Sequence, residues 1–566
     1  MRPLSAVETA VSGRGGGEEV RAMKRGRILA GAAITLVTIG AAGWLLSVQV
    51  AESRSRPVAP ADADRRAHGA AAFMGAGFGG ISTDALATNA LPWRIAATAL
   101  VLDAQASDPA ASLSQATLDR VLARFGFLTG TRVVDLPQGV RQVASSLPLG
   151  MTYGDIAPVA GAKVMVSNLG CAACHAGATY NAEGIPMPDR PALGMPNTSI
   201  DLEAYTLAVF RAMRRHIDSP DLLPAAQTLF PEMGWRERAS LRLIVLPLAR
   251  RRLDALADAE RPLPFTNGAP GSTNGVAALK QALGTPLTDG GRGDAGVVSI
   301  PDLGGRTWRT CLLADGVYAI PGASAGPTTA PPDPSRRRAL AAITTFFTVP
   351  SMGVHPDKAK ASLDDAEDVM AFIDSYRAQR FPGVVDRAAA ARGRTLYAGQ
   401  CARCHGTYDD RLDAPRLVSF PNWYGDVGTD PMRRANFDSA LAAAVAKSPY
   451  RALITVRQGP GYAAPPLAGL WASAPYLHNG SVPTIAALLD PARRPARFMV
   501  GGHALDFSAL GLRLTADGRY PPGYRPFSRP AWIDTGTPGR GATGHLQGTA
   551  LSAADKRALI EYLKLL

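Results

Sequence analysis

Four of the five cysteines and two of the eight histidines fall into two short motifs. Residues 171–175 read Cys-Ala-Ala-Cys-His, and residues 401–405 read Cys-Ala-Arg-Cys-His. In this pattern two thiols bond the vinyl groups of one haem, and the next histidine becomes an axial ligand of its iron. The sequence therefore predicts two covalently bound haem c groups. The predicted attachment residues are Cys171, Cys174, Cys401 and Cys404, and the predicted iron ligands are His175 and His405.

Other uses of the two cysteine pairs fit the sequence less well. A single zinc site with four thiolates would have to join cysteines that are far apart in the chain, and it gives neither histidine a role. A thiol–disulfide pair explains the histidines no better. Cys311 has no second cysteine near it in the sequence and is predicted to be a small buried residue.

The ligand on the opposite side of each iron decides its chemistry, because a second strong ligand suits electron transfer and an open position admits dioxygen or peroxide. For the second haem, His545 is the first candidate, since it stands in a glycine-rich loop directly before a C-terminal helix. His478, in a turn-rich segment, is an alternative metal ligand, and so are Met432 and Met499.

No comparably placed ligand stands out for the first haem. His355, together with Met352, could approach its pocket and is the first candidate for a catalytic group. Trp308 is the second candidate, as an aromatic bridge for electrons between the two haems, although most tryptophans are core residues. We therefore expect an open and reactive first haem.

A long apolar segment precedes the motifs. Residues 28–51 carry no charge and follow a basic cluster, a length and polarity that predict a transmembrane or signal helix. An uncleaved anchor and a removed signal peptide both fit, and translation could start at Met1 or Met23. Either way, we expect the haem modules on the periplasmic side of the bacterial inner membrane, anchored there through this helix or exported.

Two closing helices organise the remaining chain. Residues 365–376 align without gaps on residues 552–563, and each segment starts with a capping residue and places apolar side chains on one helical face. The fold prediction is mainly α, with two cytochrome c-like haem modules and long loops. Each module is expected to close with a helix that packs across the haem-bearing one.

The predicted domains divide the chain into four parts. They are a cytoplasmic tail and signal anchor at 1–52, a tether and helical extension at 53–149, a first haem module at 150–380, and a second haem module at 381–566. The first module is longer and carries a loop-rich insertion at 262–337. Apolar residues at helical spacing, such as Leu118 and Leu122, indicate helices in the extension, which could instead be a small separate domain.

The composition and net charge of the chain indicate which kinds of partner are expected. The 566 residues are 46% hydrophobic and 19% charged, as in a globular protein. The net charge of +13 comes from scattered arginines without a dense basic run among aromatics, so nucleic acid is not an expected partner. The charge gives weak support to an acidic redox partner, and a merely solvated basic surface is the simpler reading.

Together these motifs resemble the bacterial dihaem cytochrome c peroxidase superfamily, which includes the dihaem enzymes that mature methylamine dehydrogenase. The resemblance rests on the two haem motifs, the Gly-Arg-Thr-Leu-Tyr lead-in at 393–397 and the Pro-Tyr-Leu-His-Asn-Gly-Ser block at 475–481. The enlarged first module and the Gly-His-Leu-Gln-Gly-Thr block at 544–549 look more like the rubber oxygenase branch. The resemblance covers residues 150–566.

This resemblance implies a reactive haem on His175 and an electron-relaying haem on His405, with His545 opposite. It implies an oxidoreductase that activates peroxide or dioxygen at the first haem. The partner would be a small cytochrome c or copper protein in the peroxidase version, and an apolar small molecule or polymer in the oxygenase version. The alternative is a dihaem electron-transfer cytochrome without a substrate site. The sequence leaves open whether a calcium ion lies between the modules.

Overall fold

The structure is a computed structural model that combines helices with many short strands. It describes residues 49–53, 64–75, 91–129, 132–138, 140, 148–159, 162–287, 295–323, 326–330, 333–348, 356–457, 459 and 461–566. Helices make up 40% of the structure and strands 15%. The prediction of a mainly α fold is therefore wrong, because the structure contains many strands that the prediction did not include.

The helices are numbered in chain order. They are α1 Arg65–Met74, α2 Trp93–Ser107, α3 Gln115–Arg124, α4 Cys171–His175, α5 Leu202–His216, α6 Leu222–Leu229, α7 Trp235–Ser240, α8 Leu246–Asp254, α9 Gly275–Ala282, α10 Pro334–Thr348, α11 Pro356–Ala359, α12 Leu363–Ser375, α13 Arg387–Gln400, α14 Ala402–His405, α15 Met432–Ala435, α16 Ser439–Lys447, α17 Ile485–Leu488 and α18 Ala553–Leu563. A π-helical turn, Leu241–Val245, joins α7 to α8, and short 3₁₀ helices span Arg306–Trp308, Lys360–Ser362, Leu470–Ala472 and Pro491–Arg493.

The strands are mostly two to five residues long. They are β1 Gln49–Ser53, β2 Leu91–Pro92, β3 Met151–Val159, β4 Ala162–Leu169, β5 Ala176–Tyr180, β6 Pro186–Leu193, β7 Ser272–Thr273, β8 Val298–Ser299, β9 Cys311–Leu312, β10 Tyr318–Ala319, β11 Thr407–Tyr408, β12 Leu417–Ser419, β13 Tyr424–Gly425, β14 Thr455–Val456, β15 Tyr462–Ala463, β16 Arg497–Val500, β17 Leu505–Asp506, β18 Gly511–Leu512 and β19 Ala531–Asp534.

The largest sheet stands directly before the first haem motif. Its four strands follow the order β1-β3-β4-β2, and the long antiparallel pair β3 and β4 forms its centre. Met151, Tyr153, Val164 and Val166 are buried apolar residues at alternate positions, which is the spacing of side chains on one face of a strand. Thr152 and Gly154, at the positions between, are buried as well, so both faces of this part of β3 are covered.

The structure also contradicts the prediction of an N-terminal transmembrane helix. No helix in the described ranges is long and apolar enough to cross a membrane. Most of the predicted segment 28–51 lies outside those ranges, and its last residues, from Gln49 onwards, belong to β1, which pairs antiparallel with β3.

Both predicted closing helices are present, as α12 and α18. The Ser552 side chain caps α18 by accepting a hydrogen bond from the Asp555 backbone N–H at 3.1 Å, as predicted. α12 begins at Leu363, two residues before the predicted cap at Asp365.

In the second module, α18 crosses α13, the helix that leads into Cys401. The crossing point is Gly393, where a Cβ would overlap the backbone carbonyl of Ala558. One turn further along α13, the ring of Tyr397 lies 5.3 Å from that of Tyr562. A glycine is needed here because only the absence of a side chain lets the two backbones approach this closely.

The first module repeats this crossing with α1 and α12. A Cβ at Gly69 would overlap the backbone carbonyl of Asp368, and the Phe73 ring lies 5.2 Å from that of Phe372. The spacing from glycine to aromatic residue is the same in α1 and α13. α1 is therefore the counterpart of α13, although it lies within the segment 53–149 that the sequence assigned to a tether and extension.

A long insertion separates α1 from the first haem motif. The chain leaves α1 at Met74 and returns beside it, where the Gly150 backbone N–H donates to the Met74 carbonyl at 3.3 Å. Gly150 then lies against the haem-motif helix, since a Cβ there would overlap the backbone of Ala173. Helices α2 and α3, which the helical spacing predicted, lie within this insertion.

Candidate haem sites

The four motif cysteines are free thiols on or next to short helices. Burial raises the pKa of Cys171, Cys174 and Cys401 to about 12, so that these thiols are protonated at neutral pH. A protonated thiol is a poor nucleophile and metal ligand, which argues against a thiol–disulfide role. In the described part of the chain, no three His, Cys, Asp or Glu side chains are grouped as a metal site. The cysteine pairs therefore do not form a common zinc site.

The two motif histidines are held in the same way. Nδ1 of His175 lies 3.1 Å from the carbonyl oxygen of Pro301, and Nδ1 of His405 lies 2.8 Å from that of Pro465. A hydrogen bond from Nδ1 to a carbonyl places the proton there and leaves Nε2 as the metal-binding atom. Burial lowers the pKa of each histidine to about 4, so both are neutral, as ligation requires.

These two carbonyls belong to loops that repeat one sequence pattern. Residues 301–308 read Pro-Asp-Leu-Gly-Gly-Arg-Thr-Trp, and residues 465–471 read Pro-Pro-Leu-Ala-Gly-Leu-Trp. Gly305 and Gly469 have φ values of 70° and 67°, and each begins a 3₁₀ helix that ends at or next to the tryptophan. This Pro-x-Leu-x-Gly repeat is a signal in the sequence beyond the haem motifs, and its first proline provides the partner of each histidine.

The two loops touch each other at Asp302, which is 4% exposed. Its carboxylate accepts hydrogen bonds from the Gly304 backbone N–H at 2.7 Å and from the Tyr376 hydroxyl at 3.0 Å. A Cβ at Gly469 would overlap the same carboxylate, and one at Gly304 would press on Ala468. The loops that hold His175 and His405 are thus in direct contact.

His545 lies opposite His405. Their ring centroids are 6.0 Å apart with an interplanar angle of 44°. Two metal–nitrogen bonds of about 2 Å each leave ring centres roughly 6 Å apart, so the gap accommodates one metal atom. His545 has a φ of 49°, a strained conformation for a non-glycine residue, and its Nδ1 is buried without a hydrogen-bond partner among the described residues.

A second loop supports the one that carries His545. The His545 backbone N–H donates to the Val427 carbonyl at 2.8 Å. Gly544, with a φ of 72°, lies so close to Gly428 that a Cβ would overlap its carbonyl carbon. The Gly541 N–H donates to Asp430 at 2.9 Å. The strained position of His545 is therefore fixed by backbone contacts on both sides.

Arg494 binds the same loop through its guanidinium group. Its Nη1 donates to the carbonyls of Ala542 at 2.6 Å and Gly544 at 2.9 Å, and its Nη2 donates to the carbonyl of Leu488 at 2.9 Å. These bonds tie the loop before His545 to the end of α17. Because a charged donor forms stronger hydrogen bonds than a neutral one, Arg494 restricts where His545 can lie.

His478 is not brought to the His405–His545 pair. Its ring stacks on Tyr462, with centroids 4.2 Å apart. Burial, together with the nearby Arg433 and Arg540, lowers the pKa of His478 to about 3. This histidine is consequently neutral and lies beside two buried arginines.

The residues predicted around the first haem are placed only in part. His355 and Met352 lie outside the described residues, and their roles stay predictions. Trp308 is half-buried in the 3₁₀ helix after Gly305, where its carbonyl accepts a hydrogen bond from Arg336 at 2.7 Å. In the described chain, no other histidine ring stacks with that of His175.

The residues present fit haem c. Each haem motif provides two thiols on one helical turn and a neutral histidine whose Nδ1 is bonded to a carbonyl. The first motif also bridges two cores, because Cys171 packs with the cluster around α10 and α12 and Cys174 packs with the cluster around α2 and α5. The thioether side of a haem attached here would lie between these two cores.

Comparison with known proteins agrees with this interpretation. A family model described as RoxA-like, cytochrome c-like matches residues 461–499. The match contains the Pro465 loop and the segment with His478, and it covers well under half of the chain. It supports a relationship to rubber oxygenase-like dihaem cytochromes and indicates a haem-binding redox protein with a haem c cofactor.

Two curated relatives share part of the sequence. The "Uncharacterized protein y4iM" of Sinorhizobium fredii is 34% identical over 186 residues, which cover 28% of this chain and 41% of the relative. The "Uncharacterized protein y4iJ" of the same organism is 30% identical over 251 residues, or 32% of this chain and 40% of the relative. The chain thus spans about two fifths of the length of these relatives.

Proposed function

We propose that this protein is a dihaem c-type oxidoreductase with two unequal haems. The first is bound by Cys171 and Cys174 with His175 as its axial ligand, and it activates peroxide or dioxygen. The second is bound by the motif that ends in His405, has His545 as its sixth ligand, and exchanges electrons. A haem iron with an accessible position binds oxygen species, whereas one with two strong ligands transfers electrons.

The observation that carries this proposal is the opposed pair His405 and His545. The strained φ of His545 and the glycine contacts that impose it are costly for the fold, and such strain concentrates at functional sites. The open position of the first haem is part of the proposal and rests on the resemblance, since the candidates His355 and Met352 lie outside the described residues. Contact between the Pro301 and Pro465 loops supports electron exchange, because it brings the two attachment sites into one assembly.

Ultraviolet-visible and electron paramagnetic resonance spectra of the purified haem-loaded protein test this division. We expect about half of the haem to be low-spin and inert to cyanide, and the rest to be high-spin or to bind cyanide. Two low-spin irons that ignore cyanide and carbon monoxide, in both the oxidised and the half-reduced state, would contradict the proposal. They would leave the electron-transfer cytochrome as the function.

The substrate and partner form a second part of the proposal. As a peroxidase, the protein would take electrons from a small cytochrome or copper protein and reduce hydrogen peroxide. As an oxygenase, it would bind dioxygen and cleave a carbon–carbon double bond in an apolar molecule or polymer. Oxidation of a reduced cytochrome on addition of peroxide is expected only of the peroxidase, and this assay separates the two.

We further propose that the protein acts on the periplasmic side of the inner membrane. Bacterial haem c attachment is completed there, and both haem motifs depend on it. Cell fractionation followed by in-gel detection of covalent haem tests the location. Haem-bearing protein confined to the cytoplasm would contradict it.

A further inference from the structure

Three polar atoms around Arg433 are buried and have no hydrogen-bond partner among the described residues. They are the hydroxyl of Tyr318, Nη2 of Arg433 and Nε2 of His478. Tyr318 is 0% exposed and Arg433 is 1% exposed. A buried polar group without a partner is unfavourable, because it loses its hydrogen bond to water and gains none in the protein. Three of them in one neighbourhood indicate a polar group of a ligand that the chain receives here.

Tyr318 and Arg433 lie against the same two aromatic rings. The Tyr318 ring is 5.8 Å from that of Phe347 and 5.9 Å from that of Phe437. The guanidinium carbon of Arg433 is 5.9 Å and 5.1 Å from the same two ring centroids. The side chains of Tyr318 and Arg433 therefore pack against the same two rings.

His478 approaches Arg433 from the other side of this region. It stacks on Tyr462, whose hydroxyl donates to the carbonyl of Asp430 at 2.5 Å, three residues before Arg433. Arg433 is near enough for its charge to act on the His478 ring. Tyr318 and His478 are therefore both neighbours of Arg433.

The hydrogen-bond donors of these three side chains indicate which kind of ligand would bind them. The other two nitrogens of Arg433 have partners, since Nε donates to Asp315 at 2.7 Å and Nη1 donates to the Gly296 carbonyl at 2.6 Å. This leaves the NH2 group at Nη2 of Arg433, the hydroxyl of Tyr318 and the neutral ring of His478. Two certain donors and a ring that can donate match a group with several acceptor lone pairs, such as a carboxylate.

We propose that Tyr318, Arg433 and His478 bind a propionate carboxylate of haem. This inference rests on the proposed function, because that function supplies the haems. Tyr318 belongs to the same core as Cys171, whereas Tyr462 is three residues from Pro465, which holds His405. The carboxylate therefore comes from the haem of the first or of the second motif. In either case its hydrogen bonds orient that haem.

Resonance Raman spectra of the haem-loaded full chain test the site through the propionate bending bands. In Tyr318→Phe and in His478→Phe, we expect one band to move to lower frequency because the carboxylate loses a hydrogen bond. Tyr450→Phe is the matched control, since Tyr450 is 0% exposed in the same core but its hydroxyl donates to the Pro356 carbonyl at 2.8 Å. Spectra recorded with only the higher-potential haem reduced identify which haem carries the shifted band.

Haem content, measured in parallel, separates this inference from the proposed function. Unchanged propionate bands in both variants, at full haem content, would overturn the carboxylate site and leave the dihaem proposal intact. A changed cyanide affinity in Tyr318→Phe without a band shift would also overturn it, because Tyr318 would then face the open side of an iron. One haem per chain in the unsubstituted protein would refute the dihaem proposal, and a band shift there would still support the site.

Discussion

Gly393 of α13 touches the backbone carbonyl of Ala558 in α18 with no room for a side chain between the two helices. Gly69 of α1 has the same relationship to Asp368 in α12. Each glycine is followed one turn later by a buried aromatic residue, Phe73 or Tyr397. In both halves of the chain a glycine thus allows two helices to cross closely. One helix of each crossing precedes a haem motif in the sequence.

Replacing Gly393 by alanine is expected to destabilise the protein by at least about 1–3 kcal/mol. The added methyl group would meet backbone atoms, which cannot turn aside as a flexible side chain does. Gly399→Ala is the control, because it lies in the same helix with nothing within 4 Å of its added Cβ. Alanine there should stabilise the helix by up to about 1 kcal/mol. Denaturant unfolding of both variants checks the difference, and equal stabilities would contradict the close crossing.

Replacing His545 by glycine should convert the low-spin fraction of the haem to a high-spin or ligand-binding form. The imidazole ring opposite His405 would be missing, while the thioether attachments would keep the haem in place. Added imidazole should restore the low-spin spectrum by occupying the vacated position. His216→Gln serves as the control and should leave the axial spectrum unchanged, since that ring lies beside Asp103 at the end of α5. An unaltered spectrum in the His545 variant would refute the assigned ligand.

Replacing Arg494 by glutamine should loosen the same loop without removing a ligand. The carbonyls of Ala542 and Gly544 would lose charged donors, each such bond contributing about 1.5–3 kcal/mol. Cyanide should then displace His545 more easily, which a titration followed by the Soret band would measure. Arg493→Gln, at the exposed neighbouring position, is the control. The same cyanide affinity in both variants would mean that the loop holds its position without Arg494.

Much of the site could be read from the sequence, and the reasons are local. A covalent haem motif is contiguous, so the attachment residues needed no knowledge of the fold. The pairing of His405 with His545 was predicted from glycines that permit a strained loop, and those glycines do make the close contacts. His478 is a ligand candidate on similar local grounds, and its stacking on Tyr462 is a contact that the sequence of its own segment does not indicate.

The strands and the role of α1 could not be predicted in this way, because they depend on contacts between segments that are distant in the sequence. Apolar residues alternate along β3 and β4, but a short run of apolar residues does not by itself distinguish a strand from a helix. The role of α1 was hidden because a long insertion separates Met74 from Gly170 before the haem motif. Only the shared glycine-to-aromatic spacing of Gly69 and Gly393, seen together with the crossings, relates the two helices.

The stability of the loop contact should depend on pH through Asp302. Burial raises the pKa of this carboxyl to about 7, against the lowering effect of its bonds from Gly304 and Tyr376 and of the charge on Arg306. In the unfolded chain an aspartate titrates near 3.9. Between these two values the folded state holds a proton that the unfolded state has lost, so the free energy of unfolding falls as pH rises from about 4 to about 7. Below about pH 4 the Asp302 carboxyl is protonated in both the folded and the unfolded state, so its contribution to the free energy of unfolding is fully present.

Asp302→Asn isolates this effect, because the amide does not titrate. Its free energy of unfolding relative to the unsubstituted protein should rise by a few kcal/mol between pH 4 and pH 8, since only the aspartate loses stability over that range. Asp409→Asn is the control: the half-buried carboxylate there has its pKa lowered mainly by a hydrogen bond from Arg411, so its loss should give no such trend between pH 5 and pH 8. A constant difference between Asp302→Asn and the parent at every pH would show that the buried carboxyl titrates outside this range. The contact between the loops that hold His175 and His405 would then be insensitive to pH, and the haems could exchange electrons without a linked proton at this position.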